Sequence, residues 1–114
     1  MGIAPTPEQP MTREVLLDAR MSETLAAERV EVRRIRILAG HAAGRHVHNG
    51  PVVGSVVEGS VLFQVEGEPE IILRPGDVFF EPAGVPIAHF DARDEDVTFL
   101  AYFPLTAGQE PGLL

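Results

Sequence analysis

The stretch VVGSVVEGSVLFQVE, residues 52–66, holds two short apolar segments on either side of the turn residues Glu58-Gly59-Ser60. Each segment has the length of an average β-strand, and the glycine supplies turn chemistry. The pattern continues on both sides, where short apolar segments alternate with turns such as Arg74-Pro75-Gly76. Short strands at this spacing predict an all-β fold, either a sandwich or a barrel.

The same reasoning divides the rest of the chain. Proline-rich residues 1–12 are predicted to form a flexible arm, which leaves residues 13–114 as one domain. Apolar residues occupy even-numbered positions up to Val32 and odd-numbered positions from Ile35. This change of face predicts a β-bulge at Arg33–Arg34. Segment 18–27 stays open between a short helix and a loop. The predicted strands are 13–18, a strand from 29 onward, 45–49, 52–58, 61–66, 70–73, 77–81, 86–90 and 97–103.

Composition excludes several functional classes. The 114 residues include nine Arg and no Lys against 17 acidic residues, for a net charge of −8. The absence of lysine excludes Schiff-base chemistry. The negative net charge argues against nucleic acid or anionic membrane partners. The absence of cysteine excludes disulfides and thiolate metal sites. No apolar run is long enough to span a bilayer and no signal-like pattern opens the chain, so we expect a cytoplasmic protein.

His46 and His48 carry the sharpest chemical signal. They are separated by Val47 alone, and residues two apart on a strand project from the same face. Two imidazoles on one face can bind a metal ion. The alternative, an exposed strand with two solvated histidines, has equal weight because the motif is short.

Other polar residues are ambiguous. His89 lies two residues after Ile87, so strand alternation predicts a shared face and a third metal ligand, or else an ordinary half-buried histidine. His41, in a Gly/Ala turn, is expected to be solvated. Gln64 interrupts an apolar strand as a pocket group or a surface residue. Glu81 precedes Pro82, and a turn role is favoured over an interior acid or base.

Two motifs resemble those of the small single-domain cupins over residues 30–104. Four residues match the first motif, a glycine followed by His-x-His, a glutamate and a second glycine: Gly40, His46, His48 and Gly59. Three match the second motif, in which a histidine follows a Gly, Pro and Gly framework: Gly76, Pro82 and Gly84. The resemblance implies a double-stranded β-helix (jelly-roll) barrel, often dimeric. It also implies a divalent ion (Fe, Mn, Ni, Zn or Cu) bound by imidazoles in the barrel mouth.

Two family ligands are missing from these motifs. The family's glutamate falls at Val52 or Val53, and its second-motif histidine falls at Ile87. His89 is expected to replace the missing histidine, giving the metal set His46, His48 and His89. The predicted substrate pocket consists of Gln64, Val52, Phe63, Ile87, Phe90 and Tyr102.

The resemblance implies, as the first hypothesis, a metal-dependent cupin enzyme of the dioxygenase, isomerase or cyclase type that acts on a small organic molecule. The alternative is a non-catalytic small-ligand-binding cupin that has lost part of its metal site, and a purely structural dimer ranks third. A homodimer is expected, because apolar residues occupy both faces of segment 52–57.

Overall fold

The computed structural model describes residue 2 and residues 8–114, and these residues contain strands and no helix. It follows that no helix in this part of the chain is available to cross a membrane. The seven strands are β1 (Arg29–Ile37), β2 (Val52–Glu58), β3 (Val61–Val65), β4 (Ile71–Leu73), β5 (Val78–Glu81), β6 (Ile87–Ala92) and β7 (Val97–Leu105).

These strands form two antiparallel sheets, with the orders β1-β7-β2-β5 and β4-β3-β6. Isolated bridges at Ala42 and His46 extend the smaller sheet beyond β6. Within the described residues the two sheets are not joined into a closed barrel. The all-β jelly-roll prediction is confirmed, in the form of two sheets that enclose a common core.

The core follows from strand alternation. In β3 the side chains of Val61, Phe63 and Val65 are buried while those between them are half-buried, as expected when one face of a strand meets the core. Phe79 of β5 contacts other core rings at centroid distances of 5.0 to 5.9 Å. A side chain at Gly54 would overlap the Phe79 ring, so the glycine makes room for this packing. Four rings form this aromatic core: Phe63, Phe79, Phe90 and Phe99.

The strand prediction failed before residue 29 and at segment 45–49. Residues 8–28 form no strand or helix, so the predicted strand 13–18 is wrong and segment 18–27 is a loop. Segment 45–49 contributes isolated bridges at His46 and His48 instead of a strand. Part of the predicted arm, residues 1 and 3–7, lies outside the described residues. Weak apolar alternation before Arg29 gives these residues no face to bury.

The predicted bulge at Arg33–Arg34 is also wrong. β1 pairs with β7 without interruption, from Arg29 opposite Leu105 to Ile37 opposite Val97. The parity change arises because Val30 and Val32 lie on the outer face, where they are 60% and 52% exposed. The sequence pattern therefore marks an apolar patch on the outer face of the strand, with no break in pairing.

Candidate metal centre

Three side chains converge at one end of the fold. Nε2 of His46 lies 3.3 Å from one carboxylate oxygen of Glu81, and Nε2 of His48 lies 3.6 Å from the other. The two imidazole rings meet edge to face with their centroids 4.9 Å apart. Donor atoms of all three residues lie within 4.8 Å of one another. The arrangement is a compact set of two nitrogen donors and one carboxylate.

Backbone pairing directs these side chains inward. His46 pairs with Ile87, which is fully buried, so its ring faces the interior. His48 follows two residues later on the same face. In β5 the alternation places Phe79 inward and Phe80 outward, which makes Glu81 an interior residue with 4% of its surface exposed.

Glu81 carries a buried oxygen that needs a partner. Nδ1 of His46 donates to the carbonyl oxygen of Gly44 at 2.8 Å, which in the neutral ring leaves an electron pair on Nε2. That pair faces Oε2 of Glu81, which is buried and accepts no hydrogen bond from any described residue. Two electron-rich atoms at this distance repel each other unless a cation lies between them. A proton on His46 or a metal ion satisfies this requirement.

The pKa directions agree with this geometry. The Glu81 carboxylate raises the pKa of His46 above its ordinary value, although partial burial of the ring acts in the opposite direction. Burial would raise the pKa of Glu81, but contacts from His46 and His48 outweigh it and hold that pKa below its usual value. Each partner therefore stabilises the charged form of the other, so in the metal-free protein a proton on His46 takes the place that a metal ion would fill.

The donor spacing suits a first-row divalent metal. An ion bound at about 2.1 Å in tetrahedral geometry has ligand atoms roughly 3.4 Å apart, close to the 3.3 and 3.6 Å measured here. Imidazole nitrogen with carboxylate oxygen suits Zn, Fe, Mn, Ni or Cu. The hydrogen bond from His46 to Gly44 is the kind of outer contact that orients metal-binding histidines. The residues present fit a metal.

The carboxylate in this set comes from a position that sequence analysis assigned to a turn. Glu81 is directly opposite Val52 in the β2–β5 pair, and Val52 is one of the two positions at which the family's glutamate falls. A carboxylate at either position of a cross-strand pair reaches the same volume. Strand alternation could have identified Glu81 as an inward residue, because it lies two residues after the apolar Phe79. Pro82 favoured the turn interpretation instead.

His89 does not join this cluster. A β-bulge between Gln64 and Val65 places Val65 opposite Ile87 and Gln64 opposite His89. Val65 and Ile87 therefore face the core while Gln64 and His89 face away from it, so the prediction that Ile87 and His89 share a face is wrong. Nδ1 of His89 lies 2.8 Å from Asp91, and the side chain is 42% exposed. A metal role for His89 therefore stays a prediction whose geometric premise has failed.

The predicted pocket residues separate into distinct groups. Val52 and Ile87 are buried beside the donors, each paired directly with one of them. Phe63 and Phe90 belong to the aromatic core. The side-chain amide of Gln64 donates to the carbonyl oxygen of Glu68 at 2.9 Å, on the face opposite the core. Tyr102, between the buried Ala101 and Phe103, faces outward and is 36% exposed, while His41 is exposed.

A cavity of about 290 Å³ adjoins His48 and is also lined by residues 21–25 and Phe80. His46 and Glu81 do not line it. Of the three donor residues, His48 alone lines this cavity, and Phe80, which faces away from the core, forms part of its wall.

Comparisons with known proteins agree with this architecture. The family model described as a cupin domain matches residues 33–103. The crystal structure of the DMSP lyase DddQ from Ruegeria pomeroyi is similar, with a TM-score of 0.65 and 26% identity over 74% of this chain and 42% of that one. A cupin-like protein from Thermotoga maritima has a TM-score of 0.63 and 26% identity over 75% of this chain and 64% of that one.

A Thermus thermophilus protein has a TM-score of 0.58 and 32% identity over 70% of this chain and 76% of that one. The chain covers less than half of the two DMSP lyase structures it matches. Comparison with curated protein sequences gives no significant match. Because the family model covers more than half of the chain, this protein belongs to the cupin family.

Proposed function

We propose that this protein is a metal-dependent cupin enzyme acting on a small organic molecule, with His46, His48 and Glu81 as the metal ligands. The observation that carries the proposal is the buried Oε2 of Glu81, which lacks a hydrogen-bond partner among the described residues and faces Nε2 of His46 at 3.3 Å. Burying an unpaired carboxylate oxygen costs free energy that a bound cation recovers.

The ligand set determines what chemistry the site can support. The two imidazoles and the carboxylate leave coordination positions open for water or substrate, as in sites with two histidines and one carboxylate. A divalent transition metal bound there supplies Lewis-acid or redox chemistry. Val52 and Ile87 are buried beside Glu81 and His46, and apolar neighbours strengthen the electrostatic interactions of these two groups.

The similar structures support the substrate class without fixing the reaction. One of them is named as a lyase of DMSP, a small organic molecule. At 26% identity and partial coverage, that likeness leaves dioxygenase, isomerase, cyclase and lyase reactions open for this chain.

The test is metal analysis of protein purified without a histidine tag. After supplementation at pH 8 we expect about one divalent ion per chain, retained through gel filtration. A chain that retains no ion under these conditions would support the alternative, a small-ligand-binding cupin. That alternative rests on Val52 and Ile87, which occupy positions where the family has ligands.

We also propose a cytoplasmic homodimer that forms through the outer face of the larger sheet. Register places Val32, Tyr102, Val53 and Phe80 side by side across four strands. Val32 and Tyr102 are 52% and 36% exposed, and neighbouring Val30 extends this apolar patch. Sedimentation analysis should give twice the chain mass, and Val32→Arg should shift it toward the monomer. A monomeric wild type at micromolar concentration would contradict the proposal.

A further inference from the structure

We infer that Asn49 is a positioning residue that fixes the direction of the His48 ring by tying its backbone to segment 109–114, an inference that rests on the metal site proposed above. His48 forms an isolated antiparallel bridge with Leu113. Two backbone hydrogen bonds, 3.0 and 2.8 Å long, flank this bridge. On the other side, the carbonyl oxygen of His48 accepts a hydrogen bond from the N–H of Gly84, which belongs to a turn. The backbone of His48 is therefore held by segments that lie outside the seven strands.

The two histidines of the donor cluster are supported differently. His46 exchanges two backbone hydrogen bonds with Ile87 of β6, at 3.1 and 2.8 Å, and the carbonyl oxygen of Gly44 orients its ring. For the ring of His48 the described residues offer the contact with Glu81 and no orienting hydrogen bond of that kind. The direction of the His48 ring therefore depends on the backbone that carries it.

The side-chain amide of Asn49 bonds to segment 109–114 through both of its polar atoms. Its Nδ2 donates to the carbonyl oxygen of Glu110 at 2.9 Å, and its Oδ1 accepts from the N–H of Gly112 at 3.1 Å. A carboxylate or an aliphatic side chain would not supply a donor and an acceptor at once, so the site requires an amide. Nε2 of Gln109 adds a third hydrogen bond, to the carbonyl oxygen of Asn49 at 3.3 Å.

Segment 109–114 is itself anchored to the larger sheet. Oε1 of Gln109 accepts hydrogen bonds at 3.1 Å from the N–H and the hydroxyl of Thr106, which directly follows β7. Arg29 of β1 donates to the carbonyl oxygen of Gln109 at 2.8 Å. Asn49 therefore connects a metal donor to a frame that two strands hold in place. Because a metal site needs its donors preorganised, loss of this connection should weaken metal binding.

The experiment compares Asn49→Ala with the wild type. Zinc affinity, measured by competition with a chelator, should fall by about tenfold, as for loss of an outer-shell partner. Visible absorption of the cobalt-substituted protein reports ligand geometry, and its bands should shift in the variant. Gln64→Ala is the matched control, because it also removes an amide that donates to a backbone carbonyl oxygen, that of Glu68 at 2.9 Å, on the face opposite the core. It should keep the wild-type affinity and spectrum.

Gly112→Pro tests whether Asn49 acts through segment 109–114. This variant removes the N–H that donates to Oδ1 of Asn49, so it should lower zinc affinity as well. In the double variant the loss should not exceed the larger of the two single losses. Additive losses, wild-type affinity in Asn49→Ala or an unchanged cobalt spectrum would overturn the inference. Circular dichroism checks folding, and if Asn49→Ala does not fold, the affinity and spectrum of Gly112→Pro decide.

Failure of the metal site is read separately. Zinc content of the wild type is measured first, and a wild type without zinc contradicts the proposed function. The direction of the His48 ring is then followed in the metal-free protein by its nuclear Overhauser contact with the ring of His46, 4.9 Å away between centroids. Loss of this contact in Asn49→Ala and its retention in Gln64→Ala support the role of Asn49. An undiminished contact in Asn49→Ala overturns it.

Discussion

The two ends of the interior differ in what the same strand alternation buries. At one end Phe63, Phe79, Phe90 and Phe99 pack ring against ring, with neighbouring centroids 4.8 to 6.0 Å apart. At the other end the inward positions hold His46, His48 and Glu81, with one carboxylate oxygen lacking a hydrogen bond from any described residue.

The aromatic end contributes to the stability of the fold, and the end with the donors contributes to metal binding. Rings without polar atoms recover their full transfer free energy on burial, whereas a buried carboxylate gains stability through the cation it faces. In β5 two alternate residues, Phe79 and Glu81, serve the two ends, because both face inward. Substitution of Phe79 should therefore mainly affect unfolding and substitution of Glu81 mainly metal binding, and the predictions below test that separation.

The largest effect is expected from Phe79→Ala in the aromatic core. Removing a buried ring that contacts three others should lower the free energy of unfolding by about 3–5 kcal/mol. Urea denaturation of the metal-free protein measures this change. Val57→Ala, at a position 46% exposed, is the control and should change the free energy by less than about 1 kcal/mol.

Phe79→Leu covers the case in which the alanine variant does not fold. It should still bind zinc with wild-type affinity, because the donor atoms belong to other residues. Loss of zinc affinity in a folded Phe79→Leu protein would show that the two ends are not separable.

The next effect is expected from Glu81→Gln, which keeps the side-chain shape and removes the charge. Zinc affinity should fall by roughly 100-fold or more, beyond the change typical of outer-shell partners. Competition with a chromophoric chelator measures it. Glu66→Gln, which removes an exposed carboxylate bound to Arg45, should leave the affinity unchanged. Equal affinities for wild type and Glu81→Gln would remove the carboxylate from the ligand set.

Local pattern was sufficient to predict most of the fold. Apolar segments bounded by glycine turns gave strands close to the observed β2, β3 and β5. The failures occurred where local pattern carries little information. Val30 and Val32 are apolar but face outward, so a parity argument misread a continuous strand as bulged. No local signal distinguishes an apolar residue on the core face from one on an exposed patch.

The site was harder to predict because it depends on register. The spacing of His46 and His48 singled out two members of the candidate cluster. Glu81 joins them through its pairing with Val52, a contact between residues 29 positions apart in the chain. Conversely, a single bulge beside Gln64 was enough to invalidate the argument for His89. A shift of one residue moves a side chain to the other face, and spacing alone does not reveal such shifts.

A smaller effect concerns pH in the metal-free protein. The raised pKa of His46 contributes stability below its ordinary value of 6.5, and this contribution is lost as pH rises through the raised value. The lowered pKa of Glu81 contributes stability above 4.5, which is lost as pH falls through the lowered value.

The pair should therefore stabilise the fold most between about pH 4.5 and 6.5. Urea denaturation at pH 5.5 and 8.5 should show a larger stability difference between wild type and Glu81→Gln at the lower pH. A difference that is equal at both values, or larger at pH 8.5, would contradict the assigned pKa directions.

The smallest effect is expected from His89→Ala. The His89 ring is bound to Asp91 and lies beyond the bulge, and its connection to the donor cluster is electrostatic. The pKa of His46 is raised chiefly by Glu81 and only to a lesser degree by Asp91. Zinc affinity of His89→Ala should therefore change by less than about threefold, below the 10–100-fold typical of an outer-shell partner.

The exposed His41→Ala is the control, and His48→Ala, which removes a donor, is the positive reference. If His89→Ala loses zinc as completely as His48→Ala, the three-histidine set predicted from the sequence is right. Glu81 would then be a partner of His46 and not a ligand.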